Sequence, residues 1–361
     1  MDPDPRGGRG SPGPGRVSAM AGLLPLPAQP AGTPWPTSDW TSGDLPGHVD
    51  RSRLEAHLAH GLKDFDETHA VVVVQGGRLL VERYGPEHGP DATCLSWSMA
   101  KSLTHALFGI AVGDGLLDIQ APAPVPEWRT PGDPRGAINT DQLLRMSSGL
   151  KFDEVYEPGK ASDTIEMMWG SGKANVAHYA ASQPLAHPPG TFFSYSSGTT
   201  NILCRILSDA LGRRGADFGD FMRERLFEPL GMRTPIPKFD PAGTFIGSSF
   251  CFASARDFAR FGLLYLRDGV WDGRRLLPEG WVDYARTPTF QQAGVTDGRY
   301  GAHWWLDLGG PGSFSANGHE GQFTVVAPDL DLVAVRHGRT STEKKDAVKA
   351  WVGDLVGLFR G

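Results

Sequence analysis

Ser98 and Lys101 stand three residues apart at the head of an apolar run, Trp97-Ser98-Met99-Ala100-Lys101-Ser102-Leu103, that continues to Val112. One helical turn separates them, so a hydroxyl and an amine can share a helix face. A helix N-terminus also offers free N–H groups to an anion. A nucleophile, a base and part of an oxyanion hole can therefore come from a single turn. The S-x-x-K spacing alone is weak, because it recurs at Ser148/Lys151 and Ser341/Lys344. Ser148 runs straight into Gly149 and reads as a helix end, while Ser341 reads as an ordinary N-cap of a Lys-rich terminal helix. Only Ser98 precedes Met99, Leu103, Ala106, Leu107, Ile110 and Ala111, the spacing of a helix buried on one face.

Two further clusters carry chemistry. Ser194-Tyr195-Ser196-Ser197-Gly198 precedes a helix start. A phenol there acts as a base only if nearby cations lower its ordinary pKa of about 10, and Lys101 would be such a cation. Ser315-Ala-Asn317-Gly318-His319-Glu320-Gly321-Gln322-Phe323 begins a strand, where small residues admit a substrate and edge N–H groups face an oxyanion. Without such partners, Tyr195 is an ordinary packing tyrosine and His319 an ordinary hydrogen-bonded histidine.

The rest of the chain must position these groups. Its 361 residues allow two lobes, and 40% apolar with 21% charged residues is an ordinary globular balance. A net charge of −6 leaves no basic footprint for nucleic acid. Cys94, Cys204 and Cys251 are odd in number and widely spaced, which points to buried thiols rather than disulfides or a zinc cluster. No run is long and apolar enough for a membrane span. Residues 1–45 are dense in Pro and Gly and read as an unstructured tail. Arg16 to Ala28 resembles a signal peptide, but Pro25 and Pro27 cut its apolar core short, and Met20 is an alternative start. A cytoplasmic address is expected, with an exported form left open.

Leu54, Leu58 and Leu62 suggest a helix over 49–65, followed by a hairpin, 70–75 and 78–84, around Gly76-Gly77. Residues 116–230 read as helical and loop-rich; strands are expected over 300–308, 322–327 and 332–337, and a last helix over 342–359. The simplest packing is a mixed α/β (α+β) fold: one antiparallel sheet from both chain ends, flanked by helices, with an inserted mainly helical lobe. An α/β lobe would take 46–115 and 231–361, and the helical lobe 116–230. Ser98 would lie where they meet.

Together Ser98-Met-Ala-Lys101, Tyr195-Ser-Ser197 and His319-Glu-Gly321 resemble, in order, the three motifs of the penicillin-recognising serine hydrolases, in their class C β-lactamase-like branch. That branch includes D-alanyl-D-alanine carboxypeptidases, esterases and 6-aminohexanoate-oligomer hydrolases. Flanking stretches fit as well, among them Leu144-Arg-Met-Ser-Ser-Gly-Leu150 and Pro188-Pro-Gly-Thr-Phe-Phe-Ser-Tyr195. The resemblance implies a β-lactamase/D,D-peptidase-like fold and a cofactor-free, metal-free serine hydrolase working through an acyl-enzyme. It makes Ser98 the nucleophile, Lys101 its base and Tyr195 the group that protonates the leaving group and activates water. It places the oxyanion hole at the N–H groups of Ser98 and Gln322, and substrate contacts at His319, Gly321, Ser197 and Tyr156. Two positions depart from the family pattern. Ser197 replaces an asparagine, and His319 replaces the lysine whose ammonium would attract a β-lactam carboxylate.

An ester or linear amide is thus the expected small-molecule substrate, for a monomer or homodimer engaging neither nucleic acid nor membrane. The alternatives are a β-lactamase or D-alanyl-D-alanine carboxypeptidase, and a catalytically silent binding protein of the same fold. The chain has no G-x-S-x-G elbow and no HExxH, and His57 and His60 sit on a charged helix; neither an α/β-hydrolase nor a zinc hydrolase is indicated.

Overall fold

The structure is a computed structural model that describes residues 22–156, 159–290 and 298–360. Its main sheet has seven antiparallel strands: β1 (Glu67–Gln75), β2 (Arg78–Tyr84), β3 (Arg299–Tyr300), β4 (Trp305–Leu306), β5 (Phe314–Gly318), β6 (Gln322–Ala327) and β7 (Leu332–Arg339), in the order β2-β1-β7-β6-β5-β4-β3. Both chain ends build it, as the sequence suggests. Gly76 and Gly77 adopt φ of +56° and +73°, so the two-residue turn pairs Gln75 with Arg78 at no steric cost. Val71 to Val74 are all fully buried. Alternation sends Val71 and Val73 to one core and Val72 and Val74 to the other, so β1 is covered on both faces.

Helix α1 (Arg51–Asp64) and the terminal helix α6 (Lys345–Gly357) cover one face, with the Trp351 ring lying against Gly61 where any Cβ would collide with it. The opposite face packs on α2 (Met99–Gly113), on α5 (Ala255–Leu266) and on the elements between them. Those elements include α3 (Thr140–Leu144), begun by an Asn139/Gln142 capping box, and α4 (Ser197–Leu211), capped by Ser196. Among the described residues no helix is long and apolar enough to cross a membrane.

Three local expectations need correction. The first is the unstructured tail, which residues 22–45 do not form; residues 1–21 lie outside the described part. Thr41 and Gly43 exchange backbone hydrogen bonds with Leu79 along the edge strand β2 (2.9 and 3.0 Å), covering an edge that would otherwise be open. Arg260 and Arg267 donate to the Pro36 and Pro27 carbonyls, and Leu26, Trp35 and Trp40 pack against the core. Proline content signalled a lack of regular structure, but the apolar side chains pay for order through burial. Trp40→Ala should accordingly cost roughly 2 kcal/mol of stability, read as a lower urea midpoint at unchanged m-value.

The second is the strand over 300–308, which is a hairpin of β3 and β4. The turn between them is diverted because Ala302 N–H bonds the Ala285 carbonyl (3.0 Å) and His303 N–H that of Leu144 (3.2 Å). The third is the 315–323 stretch, which is two strands. Glu320 and Gly321, at φ of +59° and +80°, turn the chain between β5 and β6.

Candidate active site

The Ser98 turn is strained before it is reactive. Trp97 sits at φ +44°, a left-handed conformation unfavourable for a bulky residue, and the surroundings hold it there. Ser96 Oγ donates towards the Trp97 carbonyl (3.0 Å) and that of Ser249 (3.2 Å), and accepts from Cys251 N–H (3.1 Å). The Trp97 indole N–H donates to Glu320 (3.0 Å). Ser98 then occupies the N-cap of α2, yet its side chain caps no N–H. Its half-buried hydroxyl instead accepts from Lys101 Nζ at 2.9 Å. The ordinary N-cap role is thereby set aside.

Lys101 is 1% exposed within a helix buried nearly all round. Its Nζ also donates to Ser197 Oγ (3.0 Å) and the Ser248 carbonyl (2.9 Å), and lies 4.8 Å from the centre of the half-buried Tyr195 ring. Desolvation lowers its pKa from the usual 10.5 to about 8, with the Glu154 carboxylate pulling the other way. Roughly one molecule in ten then carries a neutral amine at pH 7. Such an amine can take the proton of an adjacent hydroxyl.

Glu154 is the residue that sequence reasoning missed. One of its oxygens accepts from Ser197 Oγ (2.7 Å) and the Tyr156 hydroxyl (2.6 Å), the other from Ser197 N–H (2.8 Å) and Thr164 Oγ1 (2.9 Å). A carboxylate on the first N–H of α4 also suits the positive end of that helix. Gly198 lets this happen, because a Cβ there would come within 2.5 Å of the Phe152 ring and push the loop away. The chain Glu154–Ser197–Lys101–Ser98 is continuous. No motif marks it, since its links come from three separate segments; the only signal was a carboxylate two residues before Tyr156.

Ser197 was expected to contact substrate, but it is fully buried and joins Lys101 to Glu154. Gly321, expected at the same surface, is buried as well; its carbonyl accepts from Arg336 (2.9 Å), and a Cβ would strike that guanidinium. Gln322 opens the interior strand β6, with its side-chain amide fixed on Gly338. The part of this segment that lies over the Ser98 turn is the end of β5, where a Cβ on Gly318 would come within 2.4 Å of the Ser96 carbonyl. His319 follows, edge-on to Trp97 (5.4 Å) and stacked on Tyr156 (5.0 Å). Burial lowers its pKa below 6.5, so it is neutral at pH 7. Tyr156 is 43% exposed overall while its hydroxyl is held by Glu154, and desolvation of that hydroxyl, followed by the Glu154 carboxylate, raises its pKa. Phe250 extends the aromatic wall from Trp97 (6.0 Å) to Trp169 (6.2 Å), and Trp305 stands beside Tyr195 (5.3 Å). The site is thus a buried amine under a solvent-reachable hydroxyl, walled by aromatic rings.

Comparison with known proteins agrees with this geometry. The chain is 27% identical over 307 residues to the 6-aminohexanoate-dimer hydrolase of Paenarthrobacter ureafaciens, a match that covers 79% of this chain and 77% of the relative. Among solved structures, a penicillin-binding protein homologue from Caulobacter crescentus superposes with a TM-score of 0.68 at 18% identity, covering 88% of this chain and 99% of the other. A family VIII carboxylesterase does so with a TM-score of 0.65 at 14% identity, covering 87% and 99%. The family model described as Beta-lactamase matches residues 63–358. The chain belongs to the beta-lactamase family, with that family's antiparallel sheet and flanking helices, and it is a serine hydrolase acting on a small-molecule substrate.

Proposed function

We propose that the chain hydrolyses esters or linear amides through an acyl-enzyme on Ser98. The observation that carries this is the 2.9 Å bond between Ser98 Oγ and a Lys101 amine whose pKa burial has brought to about 8. Neutral Lys101 takes the Ser98 proton as Oγ attacks the carbonyl carbon, and the carbonyl electrons move to oxygen. The oxyanion is met by Ser98 N–H at the head of α2 and by the backbone at His319, whose ring meets that of Trp97 beside Ser98, in place of Gln322. Collapse expels the alcohol or amine, which receives its proton through the Lys101–Tyr195 pair. Water repeats the sequence on the acyl-enzyme. Ser197 and Glu154 position Lys101 and do not touch substrate.

Two features support an ester or linear amide over a β-lactam. His319 is neutral where the resemblance places a lysine, and the walls of the site are aromatic. The Paenarthrobacter relative, a 6-aminohexanoate-dimer hydrolase, points to the same class of bond. A panel of p-nitrophenyl acetate, a linear aminohexanoate dimer and nitrocefin tests this. Turnover of the ester or the dimer at least 100-fold faster than nitrocefin is expected; the reverse order would make the chain a β-lactamase.

The pH profile follows from Lys101. Only its neutral form accepts the proton, so kcat/KM should rise with pH and level off above about 8. The Glu154 carboxylate favours the protonated amine, so in Glu154→Gln this limb should move to lower pH, by on the order of one unit. An unmoved or upward-shifted limb would remove Glu154 from the site's electrostatics.

A further inference from the structure

A second cluster lies upstream of the Ser98 turn and has no part in the hydrolysis. His69, His88 and Cys94 each bring one ligand atom to within 4.8 Å of the others. His69 Nδ1 is 3.5 Å from Cys94 Sγ. Tetrahedral zinc, with Zn–N near 2.0–2.1 Å and Zn–S near 2.3 Å, sets its nitrogen and sulfur ligands about 3.5 Å apart. The far nitrogens are already engaged: His69 Nε2 faces the Glu67 carboxylate at 3.5 Å, and His88 Nδ1 contacts the Pro86 carbonyl at 2.7 Å. A carboxylate and a backbone carbonyl on the outer nitrogen are the partners that orient metal-binding histidines and fix their tautomer. This leaves His69 Nδ1 and His88 Nε2 for an ion.

The backbone supports the same assignment. His69 is the extra residue of a β-bulge, since Thr68 pairs with Gly338 and Ala70 with His337. A bulge re-aims a side chain that a regular ladder would direct elsewhere. The two imidazoles stack with centroids 4.1 Å and planes 10° apart, so binding requires one ring to rotate until both lone pairs converge on the ion; both are half-buried, so solvent can complete the coordination.

We propose that His69, His88 and Cys94 bind one divalent ion of the zinc class, which fastens the segment leading to Ser98 onto the sheet. Binding exchanges the thiol proton for the metal. The spacing in sequence gave no hint of this site, because the bulge and the 85–94 loop bring the three together only in the fold.

Cobalt(II) titration of the full chain tests the proposal, with zinc as competitor. One equivalent of cobalt should give thiolate-to-metal charge-transfer absorption in the near ultraviolet, which zinc abolishes. His88→Ala and Cys94→Ser should each weaken binding by about 100-fold or more, since even outer-shell partners are worth 10- to 100-fold. Zinc should raise the melting temperature of the unaltered chain by several degrees and leave that of His88→Ala unchanged. Because His88 lies on a surface loop, the metal-free melting temperature of His88→Ala should match that of the parent. Absence of the charge-transfer band, or equal binding by the variants, would reduce the cluster to a neutral histidine pair bonded to a thiol. That outcome would leave the hydrolase reading intact.

Discussion

Ser98→Ala should yield a folded protein whose ester turnover is lower by roughly four to six orders of magnitude, the range seen when a serine nucleophile is removed from such a unit. Stability should hardly change, for reasons visible at the site. The hydroxyl caps no backbone N–H, and its loss removes one of three acceptors around Lys101, leaving Ser197 Oγ and the Ser248 carbonyl in place. Rates are to be compared on p-nitrophenyl acetate, beside thermal melts of both proteins. Retention of more than about a hundredth of the activity would remove Ser98 from the chemistry.

Lys101→Met should be nearly as damaging to catalysis, by roughly three to five orders of magnitude, because the proton acceptor is gone while the nucleophile stays. Its effect on stability should run the other way. A fully buried amine at a pKa of about 8 is held there against its desolvation, and an apolar chain of similar length carries no such penalty. The loss of donors to Ser197 and Ser248 offsets part of that gain. The melting temperature should therefore be equal or higher, with activity all but absent. A residue retained only for packing would give the opposite pair of results, lower stability and near-normal rate.

The legible part of the site was the part that is local in sequence. Ser98 and Lys101 meet because they are one turn apart on a helix rich in apolar residues and buried nearly all round, and that pattern is readable directly. Tyr195-Ser196-Ser197 was readable as the start of a helix, and Ser196 does cap it. The remaining functions of these residues depend on who arrives from elsewhere. Ser197 faces inward because Glu154 is carried onto the head of α4 by a loop packed on Gly198. Gly321 and Gln322 are buried where the chain reverses at Glu320, and Arg336 of the neighbouring strand donates to the Glu320 and Gly321 carbonyls. In the N-terminal segment, proline density argued for disorder, while Leu26, Trp35 and Trp40 carried the opposite signal. Three large apolar side chains in so short a stretch are a reason to expect docking, and the exposed edge of β2 is where residues 41–43 dock.

The central claim is that an acyl group is transferred to the Ser98 hydroxyl under a neutral Lys101. Intact-mass spectrometry of the protein mixed with a fluorophosphonate ester, followed by peptide mapping, reads this directly. One adduct per chain, located on Ser98, absent from Ser98→Ala and formed faster as pH rises towards 8, is the expected result. An unmodified protein, or an adduct that persists in Ser98→Ala, would contradict it.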